Sequence, residues 1–356
     1  MEHLQFSDKL CEYSNWRTQL SNTIERFQGW RKRYNLEDAN SAQTISIILQ
    51  GLSQDRITLA FVAEFSRGKT ELINALFFAE SGVRLLPSSP GRTTMCPAEL
   101  FFDEEGGNYI RLIEIETRCE DVPFVQLKQD VDRWTQINLD CENPLQMQAA
   151  FKELIAVKRV PRQTAIALGL FDEKEAAEQG IVNPETVEIP RWRHALISFP
   201  HSLLKAGLAI LDTPGLNALG SEPELTLSML PSAHAIVFVL AADTGVTKSD
   251  LNMWNNHVCR ATNSSKQGLA IVMNKIDAMW DDLDKDGYDH SIQSQVAASA
   301  EALGIVEKLI FPVSAKQALL AKIKNDEGLL ERSRINALEA YLSEGIINQR
   351  QKIMVD

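Results

Sequence analysis

Three features of this 356-residue chain predict an α/β fold with a mostly parallel central sheet flanked by helices. From residue 56 onward, apolar strand-like runs alternate with helical patterns, as expected when helices connect parallel strands. At residues 57–76 a strand-like run enters a short polar loop and then a helical run, a strand–loop–helix unit. Both ends of the chain carry long amphipathic helical patterns. The sheet domain is therefore expected at 55–320, with helices over 1–54 before it and 321–356 after it.

In chain order, residues 4–34 read as one helix with Phe6, Leu10, Tyr13, Leu20, Ile24 and Phe27 on a seam, and Trp16 and Trp30 beside it. Arg31-Lys32-Arg33 reads as a solvated face, with contact to acidic lipid as the alternative. A short helix is expected over 41–52, ending near Gly51. Strands are expected at 57–63, 98–103, 110–116, 194–199, 207–212, 235–241, 268–273 and 309–313, with a hairpin turn at Gly106-Gly107. Residues 118–192 are charged, mixed and partly helical (145–157, 172–179), and are read as an insertion with no catalytic pattern. Residues 329–355 form a helical pattern with Leu330, Ile335, Leu338, Leu342, Ile346 and Ile353 on one face. The two end helices are expected to pack as a short bundle. The last pattern has no Gly or Pro stop, so the natural chain is expected to continue.

Hydrophobic content of 44% and charged content of 24% are those of a soluble globular protein. No apolar run approaches the ~20 residues of a membrane span, and no signal-peptide pattern opens the chain. The five cysteines (11, 96, 119, 141 and 259) are scattered without metal-ligand spacing, as reduced cytosolic thiols are. A net charge of −12 argues against a nucleic-acid binder, but a nucleotide needs only local positive charge.

The strand–loop–helix unit contains Glu64-Phe65-Ser66-Arg67-Gly68-Lys69-Thr70. Loop and helix N-terminal N–H groups in this context cradle phosphate oxygens; Lys69 would reach the β- and γ-phosphates and the Thr70 hydroxyl would ligate Mg²⁺. Ala63 stands where this pattern asks for its first glycine, which is tolerable only if its φ stays negative. Asp212-Thr213-Pro214-Gly215 ends a buried strand pattern; Asp212 would hold Mg²⁺ through water and the Gly215 N–H would touch the γ-phosphate. Asn274-Lys275-Ile276-Asp277 follows another apolar strand. The Asp277 carboxylate can accept the two hydrogen bonds that guanine offers and adenine does not, Asn274 would brace neighbouring loops, and the Lys275 stem would cover the base. Ser314-Ala315-Lys316 repeats the strand-to-loop arrangement, with the Ala315 N–H placed for the guanine O6. Between the phosphate loop and Asp212, the Pro-, Gly- and Ser-rich segment 85–97 offers a threonine that could close over Mg²⁺; Thr94 is the choice and Thr93 the runner-up.

Together these motifs make up the GTPase set, and their details resemble the dynamin superfamily, particularly bacterial dynamin-like proteins. The phosphate loop followed by Leu72-Ile73-Asn74-Ala75-Leu76, Leu85-Leu86-Pro87 before the threonines, and Ile210-Leu211-Asp212-Thr213-Pro214-Gly215-Leu216-Asn217 carry the resemblance, which covers residues 56–320. It implies a P-loop GTPase domain with a neck bundle of N- and C-terminal helices, and phosphate contact by Ser66. Thr94 would be the switch threonine, since Pro97 follows at the family spacing. It also implies Mg²⁺ with a monovalent cation such as K⁺, activation by pairing of two GTPase domains in a homodimer or with a hetero-partner, and coupling to membrane remodelling at the inner face of a cytoplasmic membrane. Phe65 departs from the family, whose glutamine there helps to place the attacking water. Arg67 would add charge in cis or form a salt bridge to a nearby acid. A nucleotide-dependent scaffold, or a solitary regulatory GTPase, is the rival expectation.

Overall fold

The computed structural model describes residues 2–34, 36, 45, 49, 56–79, 84–87, 96–120, 122, 124–171, 173, 176, 184–205, 207–213, 230, 233–259, 268–280 and 285–342. The strands in chain order are β1 (Ile57–Ala63), β2 (Ala98–Phe101), β3 (Tyr109–Glu114), β4 (Trp134–Asn138), β5 (Val157–Pro161), β6 (Thr186–Pro190), β7 (Trp192–Ser198), β8 (Leu208–Asp212), β9 (Ala235–Ala241), β10 (Gly268–Asn274) and β11 (Ile310–Pro312). All but β5 and β6 join one nine-stranded sheet, in the order β11-β10-β9-β1-β8-β2-β7-β3-β4.

β1 shows why this sheet is covered on both faces. Leu59, Phe61 and Ala63 point into one apolar cluster, and Ala60 and Val62 into another. β9 and β10 split in the same way, with Val237, Val239 and Val272 on the first face and Ile236, Phe238, Ile271 and Met273 on the second. Alternating side chains that are apolar at every position belong to a parallel strand with helices on each side. β11, β10, β9, β1 and β8 all run parallel, and β2 then pairs antiparallel with β8.

All eight expected strands are present within two residues of their expected ends. Four readings are corrected. Gly106-Gly107 does not join a hairpin: Gly107 has the positive φ of a turn (75°), but β7 lies between β2 and β3 and pairs with both. The segment 118–192 is more than a helical insertion, since β4 extends the main sheet beside β3, and β5 and β6 form a separate antiparallel pair. Its expected first helix is seen as Pro144–Lys152, capped by the Asn143 side chain, with a 3₁₀ turn to Ile155. The helix expected over 329–355 is broken: Glu327–Ser333 ends at Arg334, whose φ is 58°, and a new helix covers residues 335–342. Ile335, Leu338 and Leu342 are buried in the cluster under β1, so this segment is fastened to the sheet domain. The boundary expected at 320 falls inside the helix Ala315–Lys324.

The N-terminal helix runs Glu2–Arg33 and lies against Ser202–Lys205. Its half-buried stripe is Arg17, Leu20, Ser21, Ile24, Gln28 and Arg31, so the seam shares Leu20 and Ile24 but not Phe27, which is exposed beside Trp30. The helices expected over 41–52 and 172–179, and the pattern beyond residue 342, lie largely or wholly outside the described residues. Among the described residues, no helix is long and apolar enough to cross a membrane.

Candidate functional site

The carboxyl ends of β11, β10, β9, β1 and β8 lie side by side, with Phe61 opposite Asp212 and Met273 opposite Pro312. Ligands of open α/β sheets bind at this edge. The loop after β1 turns through two left-handed residues, Ser66 (φ 63°) and Gly68 (φ 82°), while Ala63 is not among the positive-φ residues, as its place in the loop demands. A Cβ on Gly68 would stand 2.4 Å from Asn274 Nδ2, so close approach and positive φ both require glycine. Lys69 and Thr70 open the next helix and are buried. Lys69 Nζ donates to Asp212 Oδ1, which places the cation and the fully buried carboxylate side by side. The Thr213 hydroxyl donates to the Phe61 carbonyl (2.7 Å) and holds the end of β8 on β1.

Asn274 ties three loops together. Its Nδ2 donates to the Arg67 carbonyl (3.0 Å), while its Oδ1 accepts from the Ala315 N–H (3.0 Å) and from the Lys275 N–H (2.8 Å). Lys275 takes a left-handed backbone (φ 65°), which turns the chain so that Asp277 Oδ1 accepts from the Ser314 hydroxyl (2.7 Å). The same hydroxyl caps the helix Ala315–Lys324 by accepting from the Gln317 N–H (3.2 Å), which fixes Ser314, Ala315 and the exposed Lys316.

A further loop was not picked out from sequence. Residues 243–250 follow β9 and bond to residues of both the loop after β1 and the loop after β10. Arg67 forks onto Asp250 (Nη2–Oδ2 2.8 Å, Nε–Oδ1 3.2 Å) and also donates to Thr244 Oγ1 (2.7 Å) and Thr247 Oγ1 (3.1 Å). This is the salt-bridge alternative for Arg67. Ser249 donates to Glu64, and Lys275 Nζ lies 3.1 Å from Asp243. The readable signal was Thr247-Lys248-Ser249-Asp250, a capping box in which Thr247 and Asp250 each accept from the other's N–H.

Phe65 is 38% exposed, and its N–H donates to Glu64 Oε1 (2.9 Å). Thr93, Thr94 and Gly215 lie outside the described residues. Burial pushes the Cys96 thiol up to about 12, with the Asp212 charge adding to the shift, so it is held as an inert core group. The Thr70 hydroxyl and Asp212 carboxylate are hard oxygen donors of the kind magnesium takes, and both are buried beside the phosphate loop. Among the described residues, no three His, Cys, Asp or Glu side chains are grouped to hold a metal.

A glycine-hinged phosphate loop, a strand-end aspartate beside its lysine, and a base-side Asn-Lys-x-Asp loop locked to Ser-Ala-Lys define the class of P-loop nucleotide-binding α/β proteins. Within that class, the chain belongs to the dynamin family, whose pattern it matches over residues 59–276. It is 23% identical over 306 residues to a bacterial dynamin-like protein of Nostoc punctiforme, covering 81% of this chain and 36% of that protein. An uncharacterised protein of Caldicellulosiruptor is 25% identical over 354 residues, covering 98% and 70%. The fold is similar to a solved structure of an oligomerised bacterial dynamin pair, described as a mechanism for long-range sensing and tethering of membranes (TM-score 0.53, 16% identity, 98% of this chain and 53% of that one). The chain thus spans about a third of the Nostoc relative and about half of the solved chain.

Proposed function

We propose that this chain binds GTP and GDP and hydrolyses GTP, with turnover raised when two GTPase domains pair. The observation that carries the reading is the pair of hydrogen bonds by which Asn274 donates to the Arg67 carbonyl and accepts from the Ala315 N–H, because it ties the loop after β1 to the loop after β11. Lys69 draws the β- and γ-phosphates, the N–H groups of residues 66–70 face their oxygens, and Asp277 accepts from the guanine edge. Ser66, Glu64 and Phe65 line the phosphate side, and Lys275, Ser314, Ala315 and Lys316 the base side. Thr94 would close over Mg²⁺ when the γ-phosphate is present, and the Gly215 N–H would contact that phosphate. Thr70, Thr94 and, through water, Asp212 would hold magnesium, which would supply charge neutralisation at the phosphates, and a monovalent cation such as K⁺ would add to it.

In this reading the end helices form the neck, and the buried packing of Ile335, Leu338 and Leu342 on the sheet domain connects it to the site. The partner is a second copy or a related chain, nucleic acid is not a ligand, and the protein works in the cytoplasm or peripherally at the inner membrane face. Membrane contact, for remodelling or tethering, comes through sequence beyond this chain or through a partner. Phosphate release per molecule rises with protein concentration if pairing completes the site; a flat rate counts against pairing.

One observation favours a second reading, a nucleotide-dependent scaffold that hydrolyses poorly. The Phe65 side chain is half exposed at the loop and has no polar group with which to orient water. Tight GTP binding with no phosphate release, at high concentration and with potassium, would favour the scaffold.

A further inference from the structure

We infer that Asp250, outside every nucleotide motif, is a positioning residue for the phosphate loop and acts through Arg67. The inference rests on the GTP-site reading above. Asp250 is fully buried in the first turn of the helix Lys248–Met253. Its Oδ2 accepts from the Thr247 N–H (2.9 Å) and hydroxyl (2.7 Å), so the carboxylate is itself fixed before it meets the guanidinium. Arg67 Nε, Nη1 and Nη2 all donate into residues 244–250, and the carbonyl of the same residue accepts from Asn274 Nδ2. The loop is thus held at one residue from two opposite sides.

The position of that residue explains the need. Arg67 sits between Ser66 and Gly68, both left-handed. A left-handed serine persists only where its surroundings over-determine it. The N–H groups of such a loop are useful to phosphate only in fixed directions, because preorganised donors act without rearrangement. The planar guanidinium fork matches the carboxylate with two parallel bonds, which a lysine cannot copy. With its nitrogens committed to this loop, Arg67 orients the phosphate loop and does not serve as a free cation on the γ-phosphate.

The test uses Arg67→Lys, Asp250→Asn, Thr244→Val and the pair Arg67→Lys/Asp250→Glu. Affinity for GDP and GTP is measured by fluorescent-nucleotide titration well below each melting temperature, with kcat and KM from phosphate release. Arg67→Lys and Asp250→Asn are expected to weaken both nucleotides about ten-fold, from loss of the paired bonds between guanidinium and carboxylate, and Thr244→Val about three-fold, from loss of a single bond to the guanidinium. The GTP-to-ITP preference stays unchanged, because Asp277 is untouched. The longer carboxylate in Arg67→Lys/Asp250→Glu recovers at least half of the loss on a logarithmic scale, which a general loss of stability would not do. Wild-type GDP affinity in folded Arg67→Lys and Thr244→Val overturns the inference. So does a loss confined to kcat, which would return Arg67 to direct charge stabilisation. If Asp250→Asn fails to fold, Thr244→Val decides. Should the wild-type chain itself bind no GDP, the GTP-site reading falls first; binding by wild type with no change in the variants sinks this inference alone.

Discussion

Replacing Asn274 separates bracing from mere packing. The side chain is 2% exposed and satisfies two fully buried backbone groups, the Arg67 carbonyl and the Ala315 N–H. A buried backbone group left without a partner costs about 1–3 kcal/mol. Asn274→Ala therefore loses about 2–6 kcal/mol before relaxation, and about 3 kcal/mol if water enters from the loop edge. In a domain of this size that is a fall of about 6–12 °C in melting temperature. Asn274→Asp is the sharper variant. It keeps the shape and the acceptor toward Ala315 and Lys275, but sets a carboxylate oxygen against the carbonyls of Arg67 (3.0 Å) and Gly68 (3.4 Å). It should lose GDP affinity at least as severely as Asn274→Ala, despite the smaller change in volume. Melting by differential scanning fluorimetry and GDP titration on both variants give the answer. Asn274→Asp with wild-type stability and affinity would refute the bracing argument, since the donor has been replaced by a charged acceptor facing two carbonyls.

Asp277→Asn should weaken GTP by about 100-fold and turn the preference toward XTP, as expected when a half-buried side chain meets a mismatched edge; competition titration reads the ratio. Chelation of magnesium should abolish phosphate release, and Thr70→Ala should raise the magnesium concentration needed for half-maximal rate; an unaltered magnesium titration would remove Thr70 from the metal site. Burial alone would raise Glu99, but the imidazole of His194 (Nε2 3.2 Å from Oε1) and the Lys128 ammonium beside it overrule burial and hold the carboxyl at about 2, against an ordinary value of 4.5. A depressed carboxyl stabilises the fold above its unfolded value and loses that contribution as pH falls from 4.5 toward 2, here about 2–3 kcal/mol. In urea unfolding, Glu99→Gln should be less stable than wild type at pH 6 by about that amount, and the gap should close as pH nears 2. A gap constant with pH would contradict the pairing.

The parts that sequence revealed were those written locally. The phosphate loop, Asp212, Asn274 to Asp277 and Ser314 to Lys316 each occupy a few consecutive residues after an apolar strand, and the structure brings them to one sheet edge. What was missed depends on distant partners. β7 slots between β2 and β3 from some ninety residues away, and nothing in the turn at Gly106-Gly107 encodes it. β4 buries only Trp134 and Ile137 in part, too weak an alternation to read as a strand. The break at Arg334 has no glycine or proline to announce it; Ser333 stabilises it by donating to the Leu330 carbonyl (2.6 Å). Asp250 was silent because a capping box reads as local helix chemistry, and its second role appears only when Arg67 arrives from 183 residues away.

The most direct measurement is calorimetric titration of this chain with GDP, GTP and ATP in the presence of magnesium. The account predicts saturable binding of both guanine nucleotides, no measurable heat from ATP, and loss of the signal in Lys69→Ala. No binding of GDP or GTP at millimolar concentration, or equal binding of ATP, would contradict it.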